Sequence, residues 1–288
     1  MKVKETKKES AFLDSWKIYK KNKAALVGMV IALFIILIAV FADLIVPYEV
    51  CLKQDGMARL AAPSAAHWFG TDEFGRDLFA RIIHGSRYSI AIGVGATAIA
   101  LFIGTVIGAV CGLYGGIIDQ IVMRLCDVIS CIPFMILALA VVAALGASMV
   151  NLMIAMTVAC VPGFTRMIRS VILSIVEQDY ISASFVCGTK KLKTVFKHVI
   201  PNATGPIIVQ GSMAVASMIL SAAGLSYIGM GVNPPKPEWG SMLNASTDFI
   251  RKAPHLLFFS GIAIALAALS MNLVGDGLRD ALDPRYRS

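Results

Sequence analysis

Residues 24–46, AALVGMVIALFIILIAVFADLIV, form a run of 23 residues with one charge, Asp43, close to its far end. At about 1.5 Å per residue, roughly 20 such residues cross a hydrocarbon core of ~30 Å. Water is absent there, so a spanning segment must satisfy its backbone groups internally, as a helix or within a closed barrel. A second run, SIAIGVGATAIALFIGTVIGAVCGLY at 89–114, has no charge at all. The composition agrees, with 57% hydrophobic residues, 15% charged and a mean hydropathy of +0.76. Soluble domains are about one quarter charged. The chain is therefore read as an all-α membrane protein.

Four further spans are expected. One covers about 126–145 with Pro133 inside it. Another starts near 148, is interrupted by Val161-Pro162-Gly163 and continues into the charged segment beyond; a buried re-entrant segment is the alternative there. The fifth covers about 205–229 and the sixth about 255–274. The first run exceeds a signal-peptide core of 7–15 residues, and DLIVPYE offers no A-x-A cleavage site. It is expected to stay as a helix.

Six spans place both termini on one side, with segments 114–127 and 163–204. That side carries eight basic residues in 1–23, Arg124, six in 163–204 and three after 276, so eighteen of the 26 Lys and Arg. Such an excess marks the cytoplasm. The formal charge of +8 thus reads as topology plus attraction to anionic lipid. No basic groove interleaved with aromatics points to nucleic acid. The expected divisions are a basic cytoplasmic tail at 1–23, the first span at 24–46, an outward loop at 47–88, a multi-span core at 89–276 and a cytoplasmic tail at 277–288.

Of six cysteines only Cys51 falls outside, so no outer disulfide framework can form within the chain. His67, His84, His198 and His255 are scattered, and no Cys/His spacing resembles a metal site. Ionisable residues deep in the spans are nearly absent, which argues against an ion-coupled carrier. No G-x-x-x-x-G-K-[ST] occurs, so the chain is not a P-loop ATPase.

The second span is the most regular. Ala96, Ala100, Gly104, Gly108, Gly112 and Gly116 recur every fourth residue. Such a stripe lets another backbone approach closely, which in lipid supplies much of the association energy. In the outward loop, Thr71 is expected to cap an interfacial helix that leads into this span, with Arg76, Arg81 and Arg87 nearer headgroups. A second outward segment, GVNPPKPEWGSMLNAS at 231–246, is stiffened by proline, with Trp239 suited to the interface.

Residues 179–202, DYISASFVCGTKKLKTVFKHVIPN, are too polar for hydrocarbon. Tyr180, Ala183, Ser184 and Cys187 have helical spacing, and Gly188 is a natural C-terminal stop. A second short helix, about 192–199, puts Leu192, Val195, Phe196 and Val199 on one face and Lys191, Lys193 and Lys197 elsewhere. Pro201 is expected to end it. Two short helices joined by a glycine make a knob whose apolar face needs a partner, either the bilayer or another protein.

This knob resembles the cytoplasmic loop of permease subunits of ATP-binding-cassette importers. That loop follows E-A-A, three residues, G, nine residues, then H-x-x-P. Ser182, Ala183 and Ser184 stand in the E-A-A place, followed by Gly188, His198 and Pro201 at matching spacing. The usual glutamate is Ser182 here, and the second alanine is Ser184. Further stretches resemble the C-type permease of the dipeptide/oligopeptide/nickel importer family. They are WKIYKKNKAALVG (16–28), FGTDEFGRDLFARIIHGSR (69–87), MRLCDVISCIPFMILALA (123–140), LSYIGMGVNPPKPEWGSML (225–243) and GDGLRDALDPR (275–285).

The resemblance implies a type I importer core of the MetI-like kind with an extra N-terminal helix region, in a bacterial or archaeal cytoplasmic membrane. It implies a homologous B-type permease partner, two ATPase subunits that bind ATP and Mg, an outer solute-binding protein, and no cofactor or catalysis in this chain. Ser182, Ala183, Ser184, Gly188, Lys191, Phe196, His198 and Pro201 would form the loop that couples to the ATPases, its aliphatic side chains and Phe196 docking. Peptides are the implied cargo, with nickel or a metal chelate as the alternative within the family. An ion-coupled secondary carrier is the reading from another class.

Overall fold

Each apolar run folds as helix in a computed structural model, which describes residues 11–282. Helix α1 (Ala11–Lys21) leads into α2 (Lys23–Val40), capped by Asn22, whose side chain accepts from the Ala25 N–H. The first run is not one 23-residue helix. It breaks at Phe41 and resumes as α3 (Ala42–Ile45). Arg87 accounts for the break: its guanidinium takes the Ala39 carbonyl at 2.6 Å and the Val40 carbonyl at 3.1 Å, and pairs with Asp43 at 2.8 Å. Helix α4 (Tyr48–Leu52) follows, then an irregular loop.

Helix α5 (Leu78–Tyr114) has 37 residues, roughly 55 Å at the usual rise. The separate interfacial helix expected before the second span is therefore its first turns. Its cap is Asp77, which accepts from the Ala80 N–H at 2.8 Å, not Thr71. Thr71 instead bridges to Asp77 and accepts from the Ala61 N–H at 2.9 Å, because the loop folds back on itself.

The third span is two helices, α6 (Gly116–Ser130) and α7 (Phe134–Leu145), bent by 86°. Pro133 explains the corner: it has no N–H to continue the ladder, and it drives the residue before it out of the helical region. Pro162 has no such effect, since α8 (Met149–Val176) runs straight through the expected interruption. Neighbouring helices make an internal proline tolerable there. Next come α9 (Asp179–Val186), α10 (Lys191–Thr194), α11 (Ile200–Tyr227), α12 (Trp239–Ser246) and α13 (Pro254–Leu282). Helix α13 carries helical structure into the stretch read as a C-terminal tail; residues 1–10 and 283–288 lie outside the described residues.

Among the described residues, five helices are long and apolar enough to cross a membrane, or six when the bent pair counts as one span. The even count fits the contacts at one end of the bundle. Asn22 donates to Asp280 at 3.0 Å there, so the start of α2 and the end of α13 meet.

The stripe on α5 packs against α8. A Cβ on Gly104 would stand 2.5 Å from that of Phe164, on Gly108 2.7 Å from the Thr165 carbonyl oxygen, and on Gly112 2.7 Å from Ile172. Ala96 and Ala100 are fully buried in the same register. Gly116 does not belong to the seam: it is exposed beyond the end of α5 at φ +60°, with open space around it. Helices α2 and α13 meet in the same way, with Gly28 against Leu273 and Gly277 against Ala25. A Gly108→Leu chain cannot keep this contact, and overpacking of this kind costs about 1–3 kcal/mol or more. Its melting temperature in detergent should fall clearly, whereas Gly205→Ala on α11, with open space around it and no positive φ, should melt within a few degrees of the parent.

Candidate functional site: the helix–glycine–helix knob

Helix α9 ends because Gly188 adopts φ +78°. The Thr189 N–H then donates to the Ser184 carbonyl at 3.1 Å, a bond that closes a Schellman turn. Nothing lies within 4 Å of a Cβ built on Gly188, so backbone conformation alone demands glycine there. Across the turn, the Ser184 hydroxyl meets the Thr194 hydroxyl at 3.3 Å, and Thr194 is fully buried. The two short helices are thus clasped at a second point.

The second helix does not stop at Pro201. From Lys191 the chain is helical without a break into α11, through a π turn at Val195–Val199. There the Ile200 N–H donates to the Val195 carbonyl, five residues back. Such a widened turn relieves the clash between a proline ring and the preceding turn. Pro201 sits in the first turn of α11, a position that tolerates it. It therefore joins the knob to a span, where the end of the second short helix is expected from sequence.

Ile181, Val195 and Val199 are buried with Ala109 and Leu113 of α5, Ile168 and Ile172 of α8 and Ala203 of α11. Val195 and Val199 of the second helix are thereby spent inside the chain; the side chain of Leu192 lies outside the described residues. What stays outside is Ser182, Ala183, Cys187, Lys193, Lys197, half of Tyr180 and Val186, which is 89% exposed. His198 is half-buried, and its carbonyl accepts from the Asn202 side chain at 2.6 Å. The side chains of Lys191 and Phe196 lie outside the described residues. Because the buried cluster joins the knob to the end of α5, the knob shares its end of the bundle with the Asn22–Asp280 contact.

A second polar assembly closes the opposite end, and sequence reasoning missed it. Arg76 and Arg81 do not reach toward headgroups; each is about 95% buried. Asp72 accepts from Arg76 Nε at 2.6 Å and faces Arg81 Nε at 3.3 Å, and Glu73 adds a contact to Arg76 at 3.1 Å. Arg81 also donates to the Pro235 carbonyl at 3.3 Å. Trp239 is likewise buried, not interfacial, and its indole N–H donates to the Ile82 carbonyl at 3.0 Å. Glu238 caps α12 by accepting from Gly240 and Ser241 N–H at 2.9 and 2.8 Å, and its other contact is the Ser89 hydroxyl at 3.3 Å. Burial pushes its carboxyl above the usual range, opposed by these donors. Charges of opposite sign at i and i+4, in DEFGR, were the available signal. Asp72→Ala leaves buried Arg81 without its carboxylate and Arg76 with only Glu73, a loss of about 3–5 kcal/mol for such a pair. Unfolding of the purified chain should show it, while Glu238→Gln, which keeps one of the two acceptor oxygens of the cap, should cost less than Glu238→Ala.

With this geometry in place, comparison with known proteins assigns the chain. Residues 104–288 match the family model for the binding-protein-dependent transport system inner membrane component, and residues 10–63 match the N-terminal TM domain of oligopeptide transport permease C. The chain belongs to this family of transport permeases. It is a multi-pass inner-membrane component of an ATP-binding-cassette importer, a class that works with ATPase and binding-protein partners. Among its relatives is the dipeptide transport system permease protein DppC of Alkalihalophilus pseudofirmus, 43% identical over 97% of this chain and 91% of that protein. The glutathione permease GsiD of Pectobacterium atrosepticum is 38% identical, covering 96% and 91%. The di/tripeptide permease DppC of Pseudomonas aeruginosa is also 38% identical, covering 97% and 94%. In architecture the chain is similar to a subunit of the MetNI methionine ABC transporter, with a TM-score of 0.58 and 18% identity over 72% of this chain and 98% of that one.

Proposed function

We propose that this chain is the C-type permease of a peptide importer, and that its knob is the element on which the ATPases act. The observation that carries the reading is the Gly188 turn, set at the end of the bundle where the chain's first and last spans also meet. The relatives' names supply the cargo class, dipeptides and small peptides such as glutathione. A metal or metal-chelate cargo finds no support among them. The basic excess at the knob end supports a cytoplasmic position for that end. A homologous B-type permease completes the solute path, and a binding protein delivers solute to the opposite end. ATP and Mg belong to the two ATPase subunits; this chain contributes no catalytic group.

In this mechanism the ATPase pair supplies the differential binding energy that moves the bundles between two arrangements. The exposed surface of α9, with Val186, Tyr180 and Cys187, fits the docking role better than the inner face of the second helix. No acid stands in the place of Ser182, so docking relies on shape and apolar contact at that position.

Replacing Gly188 by valine strains a positive-φ backbone by roughly 1–2 kcal/mol and reshapes only the knob. Peptide uptake by the assembled transporter should fall at least about tenfold, while the chain still reaches the membrane and pairs with its partner. Uptake at the parental rate with equal expression would sink the coupling role.

A further inference from the structure

Between α7, α8, α11 and α13 lies a cavity of about 520 Å³. It sits near mid-length of α8 and α11, where Gly163 and Ala214 line it. Gln210, Ser217 and Ser221 project into it from α11 and Asn272 from α13. The first three are seven and four residues apart, which places them on one helix face. Gln210, Ser217 and Asn272 are exposed, and none of the four side chains has a hydrogen-bond partner among the described residues. Thr204 and Ser212 on α11, and Ser270 on α13, behave differently: each returns its hydroxyl to a carbonyl of the preceding turn. Unpaired amides at mid-span are costly against hydrocarbon, so they face water or a polar ligand. No Asp, Glu, Lys, Arg or His lines the cavity, while Met213 and Met218 do.

We infer that this wall is the chain's share of the solute path, and that it engages a peptide through the backbone amides without reading side-chain charge. The inference rests on the peptide-permease reading for its ligand. Glutamine and asparagine each carry donors and an acceptor, and a serine hydroxyl can serve as either, so together they match a peptide N–H and C=O in either direction. Thioethers adapt to side chains of varied shape. A fixed charge would trap peptides of one sign and exclude the other, whereas passage needs binding weak enough to release.

The test uses the assembled transporter, with its binding protein and ATPases, in proteoliposomes. In a chain whose native cysteines are replaced, Ser217→Cys should react with a membrane-impermeant methanethiosulfonate reagent. Leu220→Cys, at an exposed apolar position on the same helix, should stay at background. A silent Ser217→Cys overturns the path assignment whatever the cargo. Second, Ser217→Asp should raise uptake of Ala-Lys relative to Ala-Glu by about tenfold over the parent, and Ser217→Asn should leave that ratio nearly unchanged. An unchanged ratio in Ser217→Asp overturns the inference. If the parental transporter shows no ATP-dependent uptake of either peptide, the peptide reading fails, and amide recognition with it, while a reactive Ser217→Cys still identifies an aqueous wall.

Discussion

Lipid tails are as apolar as the side chains that face them, so helices in a bilayer gain little by hiding leucine from their surroundings. They associate by coming close, and the approach of α5 to α8 is the contact on which the rest of this chain hangs. Glycine at 104, 108 and 112 brings the α5 backbone within reach of the Thr165 carbonyl and of Phe164 and Ile172. That seam fixes α8, and α8 presents one face to the α5 glycines and another to the cavity. The far end of the same seam is the platform on which Ile181, Val195 and Val199 bury the knob.

Polar groups do the complementary work at the ends, where water can take part. Arg87 draws on the last carbonyls of α2 and on Asp43, and so fixes where the first crossing stops. Asp72 gathers two arginines beside the proline-rich loop, and Glu238 with Ser89 seats α12 against α5. Removing one partner from such a set is far more damaging than its modest net contribution would imply, because a buried charge is left behind.

The sequence discloses the spans well, because apolar run length is a direct consequence of bilayer thickness. It discloses the α5 seam for a related reason: only small residues in strict register allow such proximity, and Gly116 misled because periodicity does not show where a helix ends. Prolines were the least legible residues. Pro133 turns the chain by 86°, Pro162 leaves a helix intact and Pro201 passes into one through a π turn. One side chain gives three outcomes because the answer depends on whether neighbours and a locally widened ladder can absorb the missing N–H. Of the knob, Gly188 as the stop of α9 was legible. Which face would be spent internally was not, since both α9 and the following helix have apolar residues at helical spacing. Arg81 and Trp239 were misplaced because their partners Pro235 and Ile82 lie far along the chain and leave no local pattern, whereas the i, i+4 pair of Asp72 and Arg76 was a local signal that went unused.

The unbroken helix from Lys191 to Tyr227 gives the knob the mechanics of a tiller. Thirty-seven residues form a rod of roughly 55 Å, fixed at one end to the part that protrudes. Gln210 and Ala214 lie near its middle and Tyr227 at its far end. A sideways displacement at Lys193 must then reappear at Tyr227 with opposite sign, provided the rod pivots about its centre, while the cavity wall near Ala214 rotates more than it translates. A compliant joint at Pro201 would have dissipated that motion in the first turn. By carrying helix through the proline, the chain leaves no break in the rod that joins the knob to the far mouth of the bundle.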